Sequence, residues 1–320
     1  MAERLQFNLS AIRSFQLELY RRYFFHFQKP RLGAHSFSTS AFFGGLNQYI
    51  LKKNIQSSQT AVILGGSPAL CELRPHLYSE LDKYFTVGIN RFCIHQYVPS
   101  LSLIEFARPC ATQAIYNDVY SNVTLKERFV CVKDFSRFFY HQKSAQSVAE
   151  SLPHSNLFLP RFFDCTGDIS NIIGSDSSSQ ARDYFNALLH IRSVVPFILQ
   201  IRASIVSAID ICMQLGFTNI LLWGFELNST QYFWEDSSMS PFLVDSNYTS
   251  IQSGQARHAP HSTVIPSNRR PSIIDVLRIL QHSYFTPHDV DVSVIAPSYS
   301  PLQEFLSAHN SFHDFLDSAL

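Results

Sequence analysis

The sequence contains few charged residues and no excess of either sign. Charged residues make up only 16% of the 320 residues, which argues against long disordered regions. Lysine and arginine total 25, as do aspartate and glutamate, whereas chains that bind nucleic acid are normally basic. We therefore expect one large α/β domain, with or without appendages, and no binding of nucleic acid.

The sequence also lacks any Cys-x-x-Cys pair, so the ligand spacing of a structural zinc site is absent. A chain of this length does not need disulfide bonds to build a stable core. We predict reduced, mostly buried thiols in a cytoplasmic protein without a metal or cofactor. The cysteines are Cys71, Cys93, Cys110, Cys131, Cys165 and Cys212.

No apolar stretch reaches the length of about 18 residues that a transmembrane helix needs. The N-terminus also lacks the apolar run of a secretory signal. Residues 11–31 instead combine basic and aromatic side chains at helical spacing, which suits peripheral contact with the inner face of the cytoplasmic membrane. Packing of this helix on the domain is the alternative. We predict an N-terminal helical extension over 1–58, with loops at Ser36–Ser40 and Gly44–Gly45.

From residue 59 onwards, apolar runs alternate with helical patterns. The runs at 61–64 and 85–89 suit parallel strands that are covered on both faces. This alternation predicts one domain over 59–320, with a Rossmann-like, doubly wound and mostly parallel sheet. Further strands are predicted at 101–104, 129–132, 219–223 and 292–295, and helices from about Ala69, over 203–215, from Pro271 and at the C-terminus.

In sheets of this kind, ligands bind beyond the carboxyl ends of the strands. The small residues Gly65-Gly66-Ser67-Pro68 lie there, between the first strand and a helix. Their backbone amides can approach a phosphate, although the segment is neither a P-loop nor Gly-x-Gly-x-x-Gly. A plain tight turn explains it equally well. Asn90 follows the second strand, where it either caps a turn or hydrogen-bonds a nucleotide.

Two further candidates lie in the second half of the chain. Arg202 begins the helix at 203–215 and suits a phosphate or carboxylate, unless it is simply exposed on the surface. His258 and His261 lie in a loop-like region over 225–270, and histidine can act as a general base near neutral pH. Loops of this length in a compact domain are usually functional, although loop histidines without a role are the alternative.

Taken in order, these segments resemble the bacterial sialyltransferases of glycosyltransferase family 42, over about residues 60–300. Each motif is loose, and the shared order and spacing carry the resemblance. The family motifs are a strand followed by Gly-Asn-Gly-Pro-Ser-Leu, then Cys-Asn-Gln-Phe, Arg-Ile-Thr-Ser, Leu-Ser-Gly-Ile-Asp, Ser-Tyr-Ala and His-Tyr-Ile-Gly-His-Ser. The similar segments here are Ala61–Leu70, Gly88–Phe92, Ile201–Ser204, Leu222–Glu226, Gln231–Phe233 and His258–Ser262.

The resemblance implies a single GT-A-like domain that transfers sialic acid from CMP-sialic acid to a glycan or lipooligosaccharide, with inversion and without a metal. It implies that His261 is the general base, with His258 as the alternative base. Arg202 and Tyr232 would contact the CMP phosphate, and Tyr232 would help CMP to leave. The residues implied to bind the nucleotide are Gly65, Gly66, Ser67, Pro68, Asn90, Arg91 and Gly224.

Two departures from the family keep other functions open. Gly66 stands where the family has asparagine, and Asn228 stands where it has tyrosine. These changes are compatible with another nucleotide sugar, a weaker enzyme or a non-catalytic sugar-nucleotide-binding protein.

A pterin diphosphokinase-like protein is a further alternative, because that family has a similar Gly-x-Gly-Pro-Ser loop. Diphosphate transfer needs Mg²⁺ and clustered carboxylates, for which Glu226, Glu235 and Asp236 are the nearest candidates. The acceptor, the linkage and the oligomeric state stay open, and a homo-oligomer is compatible with each of these functions.

Overall fold

The computed structural model describes residues 39–55, 60–105, 129–133, 157–158, 160–174, 178–228, 230–245, 261–267 and 270–318. The strands are β1 (Thr60–Leu64), β2 (Phe85–Ile89), β3 (Leu101–Glu105), β4 (Phe129–Lys133), β5 (Leu157–Phe158), β6 (Phe162–Asp164), β7 (Ile198–Gln200), β8 (Asn219–Trp223), β9 (Asp291–Ile295) and β10 (Ser307–His309). The α-helices are α1 (Thr39–Lys52), α2 (Pro75–Leu81), α3 (Thr166–Gly174), α4 (Ser178–Val194), α5 (Ser204–Gln214), α6 (Ile273–Leu280) and α7 (Phe312–Ser318).

Short 3₁₀ and π segments join these elements, several of them at strand ends. The 3₁₀ segments are Pro68–Glu72, Asn90–Ile94, Phe233–Glu235, Ser237–Phe242, Thr286–His288 and Pro301–Glu304, and a π turn at Gln281–Phe285 continues α6.

Eight strands form one parallel sheet, in the order β10-β9-β8-β1-β2-β3-β4-β5. The chain builds the sheet outward from β1 to β5 and then returns to the other side of β1 with β8. The strand order therefore reverses between β1 and β8, and such a switch point is where open α/β sheets bind ligands. β6 and β7 pair separately as a small parallel sheet. This confirms the α/β prediction and is consistent with a Rossmann-like fold.

The central strand β1 is buried on both faces, as its apolar run predicts. Ala61 and Ile63 belong to one hydrophobic cluster and Val62 and Leu64 to the other. α5 lies in the first cluster, across β1, β2 and β3, and α7 lies in the second. Helices thus cover both faces, and the carboxyl edge of the sheet is left for the loops.

Helix α1 contradicts the predicted loops at Ser36–Ser40 and Gly44–Gly45 wherever the structure describes them. Thr39 to Lys52 are helical because Phe42, Leu46 and Ile50 recur every four residues, and all three side chains are buried. This burial outweighs the cost of about 1 kcal/mol for each glycine relative to alanine. A Cβ on Gly45 would lie 3.4 Å from two phenylalanine rings, so glycine also permits close packing.

Other boundaries differ because of local backbone effects. The helix predicted from about Ala69 is a 3₁₀ segment at first, and α2 begins only at Pro75. Arg74 is extended (φ −118°, ψ 162°), as expected of a residue that precedes proline. The polar composition of residues 175–180 indicates a loop or lid, but residues 178–180 form the first turn of α4.

Several predictions fall on residues that the structure leaves undescribed. The interfacial helix at 11–31, Cys110, His258 and residues 175–177 all lie outside the described residues. Within the described part of the chain, no helix has the length and hydrophobicity to cross a membrane. The cysteines there are unbridged and mostly buried, as predicted.

Candidate functional site

The loops that follow β1 and β8 are joined by backbone hydrogen bonds at the switch point. The Gly65 amide donates to the Trp223 carbonyl at 2.8 Å, and the Gly66 and Ser67 amides both donate to the Gly224 carbonyl at 3.1 Å. A Cβ on Gly65 would lie 2.3 Å from the Gly224 oxygen, and Gly224 has a φ of +85°. Only glycine permits this close approach at both positions.

These hydrogen bonds bear directly on the predicted phosphate loop. The amides of Gly65, Gly66 and Ser67 are occupied, Pro68 has no N–H group, and the Ala69 amide donates to Glu226 Oε2 at 3.2 Å. The loop therefore offers none of these amides to an anion, and the tight-turn alternative describes it. If this loop contacts a nucleotide, the contact is made by its small residues and not by these amides.

Tyr232 covers this loop from the side of β8. Its ring stacks on Trp234, with centroids 4.3 Å apart and an angle of 9° between the planes. The Phe233 amide donates to the Gly66 carbonyl at 2.9 Å, which fixes the segment on the loop. Burial raises the pKa of Tyr232, although the nearby Arg91 guanidinium opposes this shift. The phenol is therefore protonated, and hence a hydrogen-bond donor, at neutral pH.

His261 contacts Tyr232 across 29 residues of sequence. The Nε2 atom of His261 lies 3.4 Å from Tyr232 Oη, and Nδ1 lies 2.8 Å from Thr263 Oγ1. The Thr263 amide also donates to Nδ1, at 3.4 Å, and the Thr263 hydroxyl can donate to Nδ1 or accept from it. Burial, and secondly the charge of Arg202, lower the pKa of His261. The imidazole is therefore neutral near pH 7.

Arg202 holds the turn that carries His261. Its guanidinium donates to the carbonyls of Ser262 at 3.0 Å and Ile265 at 3.3 Å, and its amide donates to Thr166 Oγ1. Its Nε atom is buried without a hydrogen-bond partner among the described residues. Burial, and then the charge of Arg270, lower the pKa of Arg202. Arg202 thus positions the histidine turn and adds positive charge there.

Three residues at this edge have left-handed backbone conformations. They are Asn90 (φ +52°), Arg202 (φ +60°) and Leu227 (φ +61°). Such conformations cost free energy in residues other than glycine, and they tend to cluster at functional sites. The Leu227 carbonyl accepts a hydrogen bond from the His261 amide at 3.2 Å, so its strained turn also fixes the histidine loop.

A second polar cluster lies at the ends of β3 and β4, which sequence reasoning missed. Glu105 Oε2 accepts from Lys133 Nζ at 3.3 Å and from Ser204 Oγ at 3.0 Å. The Glu105 amide donates to Asn90 Oδ1 at 3.1 Å. Ser204 begins α5, two residues after Arg202, so the N-terminus of α5 lies between the two clusters. The rule that ligands bind at strand carboxyl ends could have identified Glu105 and Lys133.

Glu226, Glu235 and Asp236 are the candidates for a magnesium site, but each accepts a hydrogen bond from a backbone amide. Glu226 is 5% exposed and accepts from the Ala69 amide, while Asp236 accepts from the Ser238 amide. Glu235 accepts a weak hydrogen bond from the Tyr232 amide. Among the residues that the structure describes, no group of three or more His, Cys, Asp or Glu side chains is arranged to hold a metal ion.

Gly66 and Asn228, the two positions that differ from the family 42 motifs, both contact other loops at this edge of the sheet. A Cβ on Gly66 would lie 3.1 Å from the Tyr232 ring, so the missing side chain leaves room for that ring. The side chain of Asn228 donates to the Tyr299 carbonyl and so joins the loops that follow β8 and β9.

The arrangement brings a neutral imidazole, a protonated phenol and a guanidinium together beside the switch point. An imidazole can take up a proton, while a phenol and a cation can stabilise developing negative charge. Comparison of the chain with protein-family models, curated proteins and solved structures gave no match.

Proposed function

We propose that this protein is an inverting glycosyltransferase of GT-A-like architecture that transfers sialic acid, or a related sugar, from a CMP-activated donor to a glycan hydroxyl. The observation that carries the proposal is the 3.4 Å contact between Tyr232 Oη and His261 Nε2 beside the switch point. The sequence motifs in the same order as in family 42 support it. The reaction needs no divalent metal.

In this proposal, His261 is the general base. A sugar hydroxyl is a weak nucleophile near neutral pH, and a positioned base contributes about 10²–10⁴-fold to the rate. Burial keeps the imidazole neutral by lowering its pKa, so that Nε2 can accept the hydroxyl proton. Nδ1 would then donate to Thr263 Oγ1 at 2.8 Å, which fixes the ring orientation as in other histidine bases.

Departure of CMP places negative charge on its phosphate, which the neighbouring groups can stabilise. Tyr232 remains protonated because burial raises its pKa, and it can donate a hydrogen bond to that phosphate. Arg202 and Arg91 add positive charge without a proton transfer. Because one displacement joins the acceptor to the donor, the anomeric configuration inverts. In such a displacement the base and the leaving group lie on opposite sides of the reacting carbon. The bound donor and acceptor would therefore have to lie between Tyr232 and His261 and separate their side chains.

The location of the acceptor is a separate part of the proposal, and it rests on the sequence. The basic and aromatic residues over 11–31 support peripheral attachment to the cytoplasmic face of a membrane. A lipid-linked glycan, such as a precursor of lipopolysaccharide, would be presented there.

Nucleotide-dependent melting of the full chain tests the proposal. CMP in the presence of a chelator should raise the melting temperature, and 100 times its dissociation constant adds about 2.7 kcal/mol to the free energy of unfolding. CDP, UDP and ATP are the comparisons. Stabilisation by ATP with Mg²⁺ but not by CMP would instead favour the diphosphokinase-like function. Binding of CMP without any transfer from a CMP-sugar would leave a non-catalytic binding protein.

A further inference from the structure

The cluster at the ends of β3 and β4 contains a lysine that is almost fully buried. The side chain of Lys133 is 2% exposed, whereas that of its ion-pair partner Glu105 is 25% exposed. Lys133 Nζ also donates to Ser204 Oγ at 3.3 Å, and Ser204 Oγ donates to Glu105 Oε2 at 3.0 Å. The three side chains form a closed triangle in which the carboxylate is the member that reaches solvent.

Fold stability alone does not account well for this triangle. Removing a lysine from water is costly, and well-packed apolar residues in place of a buried ion pair are often neutral or stabilising. The arrangement instead orients one carboxylate at the carboxyl edge of the sheet. A carboxylate accepts hydrogen bonds at about four sites, and a quarter of the Glu105 side chain is exposed, so a ligand can reach it.

Asn90 supplies a hydrogen-bond donor next to this carboxylate. Its Oδ1 atom accepts from the Glu105 amide at 3.1 Å, and its backbone is held in the left-handed region. Within the described part of the chain, its Nδ2 group has no hydrogen-bond partner, and the residue is partly exposed. An amide donor beside a carboxylate acceptor suits two vicinal hydroxyls, because each hydroxyl both donates and accepts.

The position in the sheet also suits a nucleoside. β3 lies two strands from β1, roughly 10 Å away at the usual strand spacing. Ser204 begins α5 and Arg202 precedes it by two residues, so the Glu105 cluster and the Tyr232–His261 pair both lie near the N-terminus of this helix. In doubly wound folds, an acidic side chain near a strand end commonly binds ribose hydroxyls while the phosphate lies nearer the switch point.

We propose that Glu105 binds the ribose hydroxyls of the nucleotide, together with Asn90, and that Lys133 and Ser204 are positioning residues for the carboxylate. The inference rests on the proposed function, since it names the part of the CMP donor that this cluster recognises.

The test compares two ligands on the full-length protein by titration calorimetry. CMP has both ribose hydroxyls, and 2′,3′-dideoxy-CMP has neither. The wild-type protein should bind CMP about tenfold or more tightly than the dideoxy ligand, since a hydrogen bond to a charged group is lost. Glu105→Gln should reduce this ratio to about twofold or less. Glu80→Gln is the matched control, because Glu80 is 30% exposed and also pairs with a lysine; it should keep the wild-type ratio.

The buried lysine calls for a second variant, because Glu105→Gln leaves its charge unpaired. The double variant Glu105→Gln/Lys133→Met removes both charges, and its fold is checked by circular dichroism. It should also bind both ligands with nearly equal affinity. A wild-type protein that binds both ligands equally, or a double variant that keeps the wild-type ratio, would overturn the ribose assignment alone. A wild-type protein that binds neither would overturn the proposed function and this inference with it.

Discussion

Tyr232 packs against Gly66 so closely that its ring lies 3.1 Å from the position that a Cβ on that glycine would occupy. The same ring stacks on Trp234 and contacts His261 through its hydroxyl. A residue in the first loop of the sheet therefore decides where the phenol lies, although the two positions are far apart in sequence. The family asparagine would not fit here unless the ring moved.

We therefore expect Gly66→Asn to displace Tyr232 from its stack. Inserting atoms into a packed contact costs about 1–3 kcal/mol, and turnover should fall further because the phenol loses its position. Gly44→Ala is the control, since a Cβ there meets nothing within 4 Å and alanine is the better helix residue by about 0.5–1 kcal/mol. Urea unfolding and initial rates measure both effects. An unchanged rate in a folded Gly66→Asn protein would show that turnover does not depend on the position of the Tyr232 ring.

The strands were predictable because burial on both faces leaves a local signature. β2 and β8 have the predicted bounds, and β1 is longer by one residue. The same reasoning placed the candidate edge of the sheet correctly. It missed Glu105 and Lys133 because a polar residue after an apolar run reads as the end of a strand. Their significance appears only when two neighbouring strands bring them within 3.3 Å of each other.

The contact between Tyr232 and His261 could not be derived from local pattern. It depends on the His261 amide donating to the Leu227 carbonyl and on Arg202 holding the carbonyls of the same turn. Each of these is a long-range hydrogen bond from a strained or irregular segment. The sequence could name the residues through their resemblance to a family, but not their geometry. Helix α1 was missed for a simpler reason, because the pair Gly44–Gly45 resembles a loop.

Arg202→Lys keeps the positive charge but should no longer hold the turn that carries His261 in position. The guanidinium reaches two carbonyls, of Ser262 and Ile265, whereas an ammonium is a single point donor. We expect the free energy of unfolding to fall by about 1 kcal/mol, as for one hydrogen bond, and kcat to fall more than CMP affinity. Calorimetry and initial rates separate the two. An affinity loss as large as that of Arg202→Ala would indicate direct contact with the phosphate.

Deleting residues 2–31 should reduce sedimentation with anionic vesicles while leaving CMP affinity unchanged. The reason is the basic and aromatic composition of 11–31, since each basic residue near an anionic surface contributes about 1 kcal/mol. A variant with the arginines of this segment changed to glutamine is the control for chain length. If the truncated protein binds vesicles as well as the full chain does, another surface makes the contact.

The pH dependence of stability should report on His261. Because burial lowers its pKa below 6.5 in the folded state, the unfolded chain takes up the proton first as the pH falls. Stability from this group is therefore complete above about pH 6.5 and is lost as the pH falls through the folded pKa. The buried His95, with a pKa lowered to about 4 by desolvation, behaves in the same way. We expect His261→Asn to lose less stability than the wild type between pH 6.5 and 5, with His95 common to both proteins.

The proposed role of His261 as the base leads to the sharpest prediction. His261→Ala should lower kcat by about 10²–10⁴-fold and leave CMP affinity close to that of the wild type, because the base acts on the acceptor and not on the nucleotide. Thr263→Val, which removes the partner of Nδ1 at 2.8 Å, should lower kcat less and leave the protein folded. His258→Ala is the matched control three residues earlier, and it should retain activity. CMP release from a CMP-sugar in the presence of a glycan acceptor provides the assay.

The acid limb of kcat/KM should lie below pH 6.5 in the wild type, since the neutral imidazole is the active form. Imidazole added to His261→Ala should restore part of the rate, because it supplies the missing base without repairing the fold. If His258→Ala is inactive and His261→Ala is not, then His258 is the base, and the contact between His261 and Tyr232 only positions the loop.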